Sequence, residues 1–254
     1  MLMKSDSLGD RMKGYENITR NKLIPRMPVM MRIDGRAFHT FTKCNLIKSD
    51  SMPFSSKMHY MMSKATLALC DELQNVVFAY MQSDEISLFF RDWDKLTTQQ
   101  WFDGNIQKMV SIGAATATSA FNRELISYLG LDDYLDLTIR QLPKFDARVW
   151  NLPKEEIVNY FIWRQQDWTR NSVQMLGHHY FSHSELHGKN VSNIQDMLML
   201  QKQINWNDLP IYRKRGTAFY RDSNGTWVQD ENMPILTKDR DYVGQWIEVN
   251  DDDE

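Results

Sequence analysis

The sequence predicts an α+β fold: an antiparallel, ferredoxin-like sheet flanked by helices, with a mostly helical extension toward the C-terminus. Three observations predict it. Residues 29–33 form an apolar run of strand length that ends in Asp34 and Gly35. Residues 53–73 carry Phe54, Met58, Met61, Ala65, Leu69 and Leu73 at intervals of three and four, the period of a helix burying one face. Residues 76–81 and 86–90 are β-rich apolar runs parted only by the polar residues 82–85, which reads as a hairpin. Strand, helix, strand, strand is the opening of a split βαβ unit.

The remaining elements follow in chain order. Residues 7–23 read as a first helix, with Ser7 as cap and Asp10 three residues on. Arg11, Lys13, Arg20 and Lys22 alternate there with Asp10 and Glu16 as a solvated face, and Pro25 and Pro28 stop the helix. Pro53 suits the first turn of the next helix, whose methionine stripe belongs in the core. Residues 99–128 form a further helix in which Gly113, Ala117 and Ala120 allow close approach to a neighbouring element. A strand is expected over 144–150, where Asp146 and Arg148 point the same way as an ion pair or as ordinary surface charge. The helix over 153–177 starts with Pro153, Glu155 and Glu156; Ile157, Tyr160, Phe161, Arg164 and Trp168 share one of its faces. A helix over 190–203, a break at 207–210 and a strand over 217–221 follow. Beyond Asp222 the chain reads as polar and irregular, ending in an acidic run at 250–254.

Length and composition limit the function classes. At 254 residues and 42% hydrophobic, the chain can bury a large core, and no repeat or linker divides it. A net charge of -3 excludes a globally basic coat, so contact with RNA has to use a local positive groove. Cys44 and Cys70 form no CxxC pair, which fits a reducing, cytoplasmic setting. The first sixteen residues lack the apolar core of a signal peptide, and no run of about 18 apolar residues could span a bilayer. The expectation is a soluble protein.

Chemistry concentrates at the strand tips. Asp34 ends one strand, and Asp84 and Glu85 lie at the hairpin turn beside Ser83. Carboxylates brought together by a sheet suit Mg²⁺, which takes oxygen ligands and shares them with substrate phosphates. The backbone amides of Gly35, Arg36, Ala37, Phe38 and His39 offer a phosphate cradle. Taken singly, Asp-Gly after a strand is more often an ordinary turn than a metal site, and Ser-Asp-Glu in a hairpin is no better a signal. Their pairing within one apolar frame points to two-metal chemistry on a nucleotide.

Five strings, RIDGRAFHTF (32–41), FAYMQSDEISLFF (78–90), KFDARVW (144–150), YFIWRQQDWTRNS (160–172) and LPIYRKRG (209–216), resemble in order and spacing the tRNA-His guanylyltransferase family, which includes guanylyltransferase-like 3′-to-5′ polymerases. The resemblance runs from about Gly14 to about Tyr220. It implies a polymerase-like palm in residues 1–150 with the N-terminal helix, completed by a helical extension and returning strand over 151–222 and followed by a polar tail over 223–254. It implies that Asp34, the Gly35 carbonyl and Asp84 hold two Mg²⁺ ions, with Glu85 adjusting the site from behind or as an occasional ligand. One ion would activate a 3′-hydroxyl and the other would stabilise the leaving pyrophosphate. Nucleotide contacts carry over to the 35–39 amides, Ser83 and, across a one-residue gap, Lys48. Arg32, Arg164, Asp167, Asn171, Arg213, Lys214 and Arg215 are candidate phosphate or tRNA contacts; the 213–215 cations read equally as a solvated edge.

The reaction implied is ATP activation of a tRNA 5′-phosphate, then attack by the 3′-hydroxyl of GTP or another nucleotide, in an enzyme that assembles as a homotetramer. One departure matters. Where the tRNA-His-specific branch has His-Ile-Asn-Asn, this chain has Thr169-Arg170-Asn171-Ser172, which implies the branch that repairs truncated 5′ ends by templated addition. A nucleotidyl cyclase on the same palm and a non-catalytic RNA-binding protein are the alternatives. His179, His183 and His187 have the spacing of helical zinc ligands, but Gly177 and Gly188 interrupt the region and no cysteine is near, so a polar or RNA-contacting segment is the expected reading.

Overall fold

A computed structural model describes residues 7–42 and 53–248. Its centre is a six-stranded sheet in the order β4-β1-β3-β2-β5-β6, with every neighbouring pair antiparallel. The strands are β1 (Val29–Gly35), β2 (Val76–Gln82), β3 (Glu85–Phe90), β4 (Phe145–Asn151), β5 (Thr217–Arg221) and β6 (Trp227–Asp230). The helices are α1 (Ser7–Asn17), α2 (Phe38–Phe41), α3 (Ser56–Glu72), α4 (Ile106–Leu129), α5 (Leu131–Leu135), α6 (Lys154–Tyr180), α7 (His183–Leu186), α8 (Val191–Lys202), α9 (Ile211–Arg215) and α10 (Asp241–Gly244). The path β1-α3-β2-β3-α4-β4 with β1 between β4 and β3 is the ferredoxin-like arrangement expected from the sequence.

The sheet is covered on both faces, so its central strands are predominantly apolar. Met31, Ile33, Ala79, Met81, Ile86 and Leu88 pack with α3 and α4, whereas Met30, Phe78, Tyr80 and Phe89 pack with Ile157, Tyr160 and Phe161 of α6. Gly113 explains the close seating of α4, since a Cβ there would lie 2.8 Å from the Met31 sulfur. Cys70 is a buried core residue; Cys44 lies outside the described residues.

Several expected boundaries shift for tertiary reasons. α1 ends at Asn17 rather than 23, because the chain turns there to bond Leu23 N–H to the Gly104 carbonyl and to place Leu23 in the core. α3 starts after Pro53, where the Ser55 side chain accepts from Met58 N–H. The helix expected from residue 99 starts at Ile106, capped by Asn105, because Trp101–Gly104 forms a separate 3₁₀ turn. The largest correction lies past Asp222. β6 extends the sheet, and Met233, Leu236, Val243 and Ile247 bury against the α6 face. Their irregular spacing among polar residues gives no period from which packing can be read.

Candidate active site

β1 delivers Asp34 to the end of the sheet, where it faces Glu85 on one side and Asp146 on the other. The β2–β3 hairpin turns on Ser83 and Asp84, with Ser83 at φ 49°. Gly35 N–H donates to the Asp84 carbonyl at 2.9 Å and Arg36 N–H to the Lys144 carbonyl at 2.8 Å, so backbone bonds join the two acid-bearing turns. Asp34 and Asp84 line one open cleft of about 1210 Å³ with Ser83, Arg164, Asp167 and Asn171. Burial raises the Asp84 carboxyl above its ordinary range and the charge of Asp34 adds to this; Asp34 is raised by burial and then by Asp146. Mutual repulsion of this kind is relieved by a cation placed between the groups.

Glu85 has a different role. Arg164 from α6 grips it with two bonds, Nε to Oε1 at 2.7 Å and Nη2 to Oε2 at 2.8 Å, and the side chains are only 7% and 11% exposed. Arg32 stands 3.7 Å from the same carboxylate. Burial raises Glu85 while Arg164 and then Arg32 pull it down. Among the described residues no three His, Cys, Asp or Glu side chains converge to hold a metal. Of the carboxylates lining the cleft, Glu85 and Asp167 are engaged by arginines, which leaves Asp34 and Asp84, a pair that fits Mg²⁺ sharing its remaining positions with water and phosphate.

The expected phosphate cradle narrows. Gly35 and Arg36 N–H are already used by the sheet, whereas the amides of Ala37, Phe38 and His39 lie at the start of α2, where N–H groups have no partner within the helix. Ala37 takes φ 58°, which swings the chain into that turn, and the Phe38 ring packs on Phe41, Phe121 and Phe145 at 5.4, 5.3 and 5.0 Å. Gly35 is required here, because a Cβ would sit 2.4 Å from the Phe38 ring. Lys48 lies outside the described residues.

The basic run separates. Arg213 lines a second cavity of about 310 Å³ that adjoins the cleft at Gln82, Ser83, Asp84 and Trp168. Lys214 instead donates to the Asn207 carbonyl, and Arg215 to the Met233 carbonyl at 3.3 Å. Thr169 donates to the Lys214 carbonyl at 3.0 Å and so ties α6 to α9. Asp146 and Arg148 form an exposed pair at 3.5 Å.

α6 ends at Tyr180 and α7 begins at His183, so His179, His183 and His187 do not share one helix. His179, with His178, lines the cleft.

Sequence reading missed the second cavity. Phe54, Met58, His59, Met81, Trp168 and Tyr212 line it, and the His59 ring lies 4.2 Å from that of Tyr212. Only its aromatic composition hinted at it, since these residues come from four separate segments.

A sheet of this topology, with two carboxylates at adjacent strand ends opening on an apolar cavity, has the architecture of a polymerase-like palm. The chain belongs to the tRNAHis guanylyltransferase (Thg1) family, whose model matches residues 9–153. It is 27% identical over 256 residues to the tRNA(His) guanylyltransferase of Schizosaccharomyces pombe, covering 95% of this chain and 92% of that protein. It is 26% identical over 228 residues to an uncharacterized protein of Acanthamoeba polyphaga mimivirus, covering 84% of this chain and 76% of that protein. A bacterial Thg1-like protein in complex with ATP superposes with a TM-score of 0.87 at 43% identity, covering 96% of this chain and all (100%) of the other. One in complex with GTP gives 0.79 at 39% identity, with coverage of 96% and 100%. Among the described residues no helix is long and apolar enough to cross a membrane.

Proposed function

We propose that this protein adds nucleotides in the 3′-to-5′ direction to tRNA 5′ ends, preferring truncated ends that offer a template base. The observation that carries the reading is the shared cleft of Asp34 and Asp84 opening on an apolar cavity, in a chain similar to proteins described in complex with ATP and with GTP.

In the first step an oxygen of the tRNA 5′-monophosphate attacks the α-phosphorus of ATP and displaces pyrophosphate, leaving an adenylylated 5′ end. In the second, the 3′-hydroxyl of the incoming nucleoside triphosphate attacks the 5′-phosphorus and displaces AMP. Asp34, the Gly35 carbonyl and Asp84 are the groups that would hold two Mg²⁺ ions, which supply charge neutralisation and a lowered hydroxyl pKa when bound. The amides of Ala37, Phe38 and His39, with Ser83 and Lys48, bind triphosphate oxygens, and the cavity walled by Phe54, Met58, His59 and Tyr212 takes the base. Arg164 and Arg32 engage Glu85, so Glu85 would position the sheet end rather than ligate a metal. Thr169 in place of the branch-specific histidine supports templated repair over untemplated guanylate addition. A cytoplasmic homotetramer is the assembly we assign by family likeness, and the exposed apolar row Leu8, Met12 and Tyr15 on α1 is consistent with a subunit contact.

The test is incorporation of labelled GTP, with ATP and Mg²⁺, into two 5′-monophosphate substrates: intact tRNA-His, and a tRNA lacking its first nucleotide opposite a C. Faster addition to the truncated tRNA supports the proposal. Faster addition to intact tRNA-His overturns the templated preference, and addition to neither, with cyclic nucleotide formed from ATP or GTP, overturns the tRNA reading.

A further inference from the structure

On the α6 face of the sheet, beside Asp34 and away from the nucleotide cavity, aromatic and cationic side chains form a surface that the chemistry above does not use. Trp150 of β4, Tyr160 and Trp163 of α6 make a contiguous run, with ring centroids 5.8 Å apart at both steps. Trp163 is 50% exposed although it flanks a buried arginine, and the Arg164 guanidinium lies 4.6 Å from its ring centroid. Next to this run, Arg32 and Arg148 are cross-strand partners, one pleat back from the Asp34–Asp146 pair and on the same face.

Neither of these strand arginines is fully neutralised. Arg148 pairs with Asp146 at 3.5 Å, with both side chains more than half exposed, a geometry that contributes little to stability. Among the described residues the Arg32 Nε is buried without a hydrogen-bond partner, and the carboxylate 3.7 Å away is already held by two bonds from Arg164. A buried donor of this kind calls for an acceptor. The surface thus offers a half-exposed indole for stacking and two arginines for anions, beside the acids at which a 5′-phosphate has to arrive.

We infer that Trp163, Arg32 and Arg148 form the docking platform for the 5′-terminal segment of the RNA, the terminal base stacking on Trp163 while Arg32 and Arg148 take the adjacent backbone phosphates. The inference rests on the tRNA reading above and names where that substrate sits. Stacking and phosphate pairing without base-edge contacts is sequence-tolerant recognition, suited to an enzyme acting on 5′ ends of different sequence. Charge complementarity and continuity with the acids favour RNA here over a second copy of the chain.

The experiment is equilibrium binding of a fluorescently labelled 5′-monophosphate tRNA from 50 to 200 mM salt, with ATP affinity and sedimentation measured on the same proteins. Trp163→Ala is expected to weaken tRNA binding by about tenfold or more. Arg148→Ala and Arg32→Gln are each expected to reduce the salt slope by roughly one. ATP affinity and sedimentation should match wild type for Trp163→Ala and Arg148→Ala. Wild-type tRNA binding with unchanged affinity and slope in the variants overturns the platform alone. Absence of tRNA binding by the wild-type protein overturns the tRNA reading itself, and a change of oligomeric state in Trp163→Ala overturns the assignment in favour of a subunit contact.

Discussion

Arg164→Ala separates a supporting role for the Glu85 carboxylate from a ligating one. The substitution removes a guanidinium that is 7% exposed and leaves Glu85, 11% exposed, with Arg32 at 3.7 Å as its nearest cation. Breaking a buried pair from one side costs about 3–5 kcal/mol, because the remaining charge is desolvated without compensation. At about 2–4 °C per kcal/mol for a protein of this size, the melting temperature should fall by roughly 6–20 °C. The pH dependence follows from the direction of the shift. Burial already raises Glu85 and Arg164 is the largest influence lowering it, so the variant's folded-state pKa rises further above its unfolded value. The destabilisation is then absent below the unfolded pKa and grows as pH rises through the window up to the folded pKa. Urea denaturation at pH 7.5 and pH 5 should show a smaller loss at pH 5, and replacing both partners together (Glu85→Leu with Arg164→Met) should recover most of the stability. A loss under about 1 kcal/mol at pH 7.5, or one that grows on acidification, would refute the argument.

Three further outcomes are expected. Asp84→Asn should reduce Mg²⁺-dependent pyrophosphate release by at least about 10²-fold, yet raise the melting temperature without Mg²⁺ at neutral pH; burial and Asp34 raise this carboxyl, so its ionised form opposes folding and the gain should vanish near pH 4. Differential scanning fluorimetry with and without Mg²⁺ reads both effects, and a lower apo melting temperature would contradict them. Gly216→Ala places a Cβ 2.5 Å from the Tyr80 ring at φ 82° and should cost about 2–5 kcal/mol, measured by urea denaturation. Chelator-washed protein should carry no stoichiometric zinc by atomic spectroscopy, since the helix break at residues 181–182 parts His179 from His183 and His187.

What the sequence made legible was whatever has a local period or a local turn. The αβ order, the Asp34 strand tip and the Ser83-Asp84 turn all rest on patterns within about twenty residues. The capture of Glu85 was not legible, because Arg164 lies 79 residues away and nothing local distinguishes its partner from any other acid. Nor was the commitment of Gly35 and Arg36 amides to Asp84 and Lys144 carbonyls, which only the sheet register decides. The 227–247 segment escaped because its buried residues follow the shape of α6 and the sheet and not a period of their own. Arg213, Lys214 and Arg215 looked equivalent as a run, yet one turn of helix sends them to three different surroundings.

The backbone bond from Gly35 N–H to the Asp84 carbonyl bears on how this protein can change over generations. The acids are placed by the main chain. Either side chain can therefore be exchanged without unmaking the frame. Length is far less free. Losing one residue from the doubly buried β1 would exchange its two faces and turn Asp34 away from the cleft, so lineages should vary the acids' identity more readily than the strand's register.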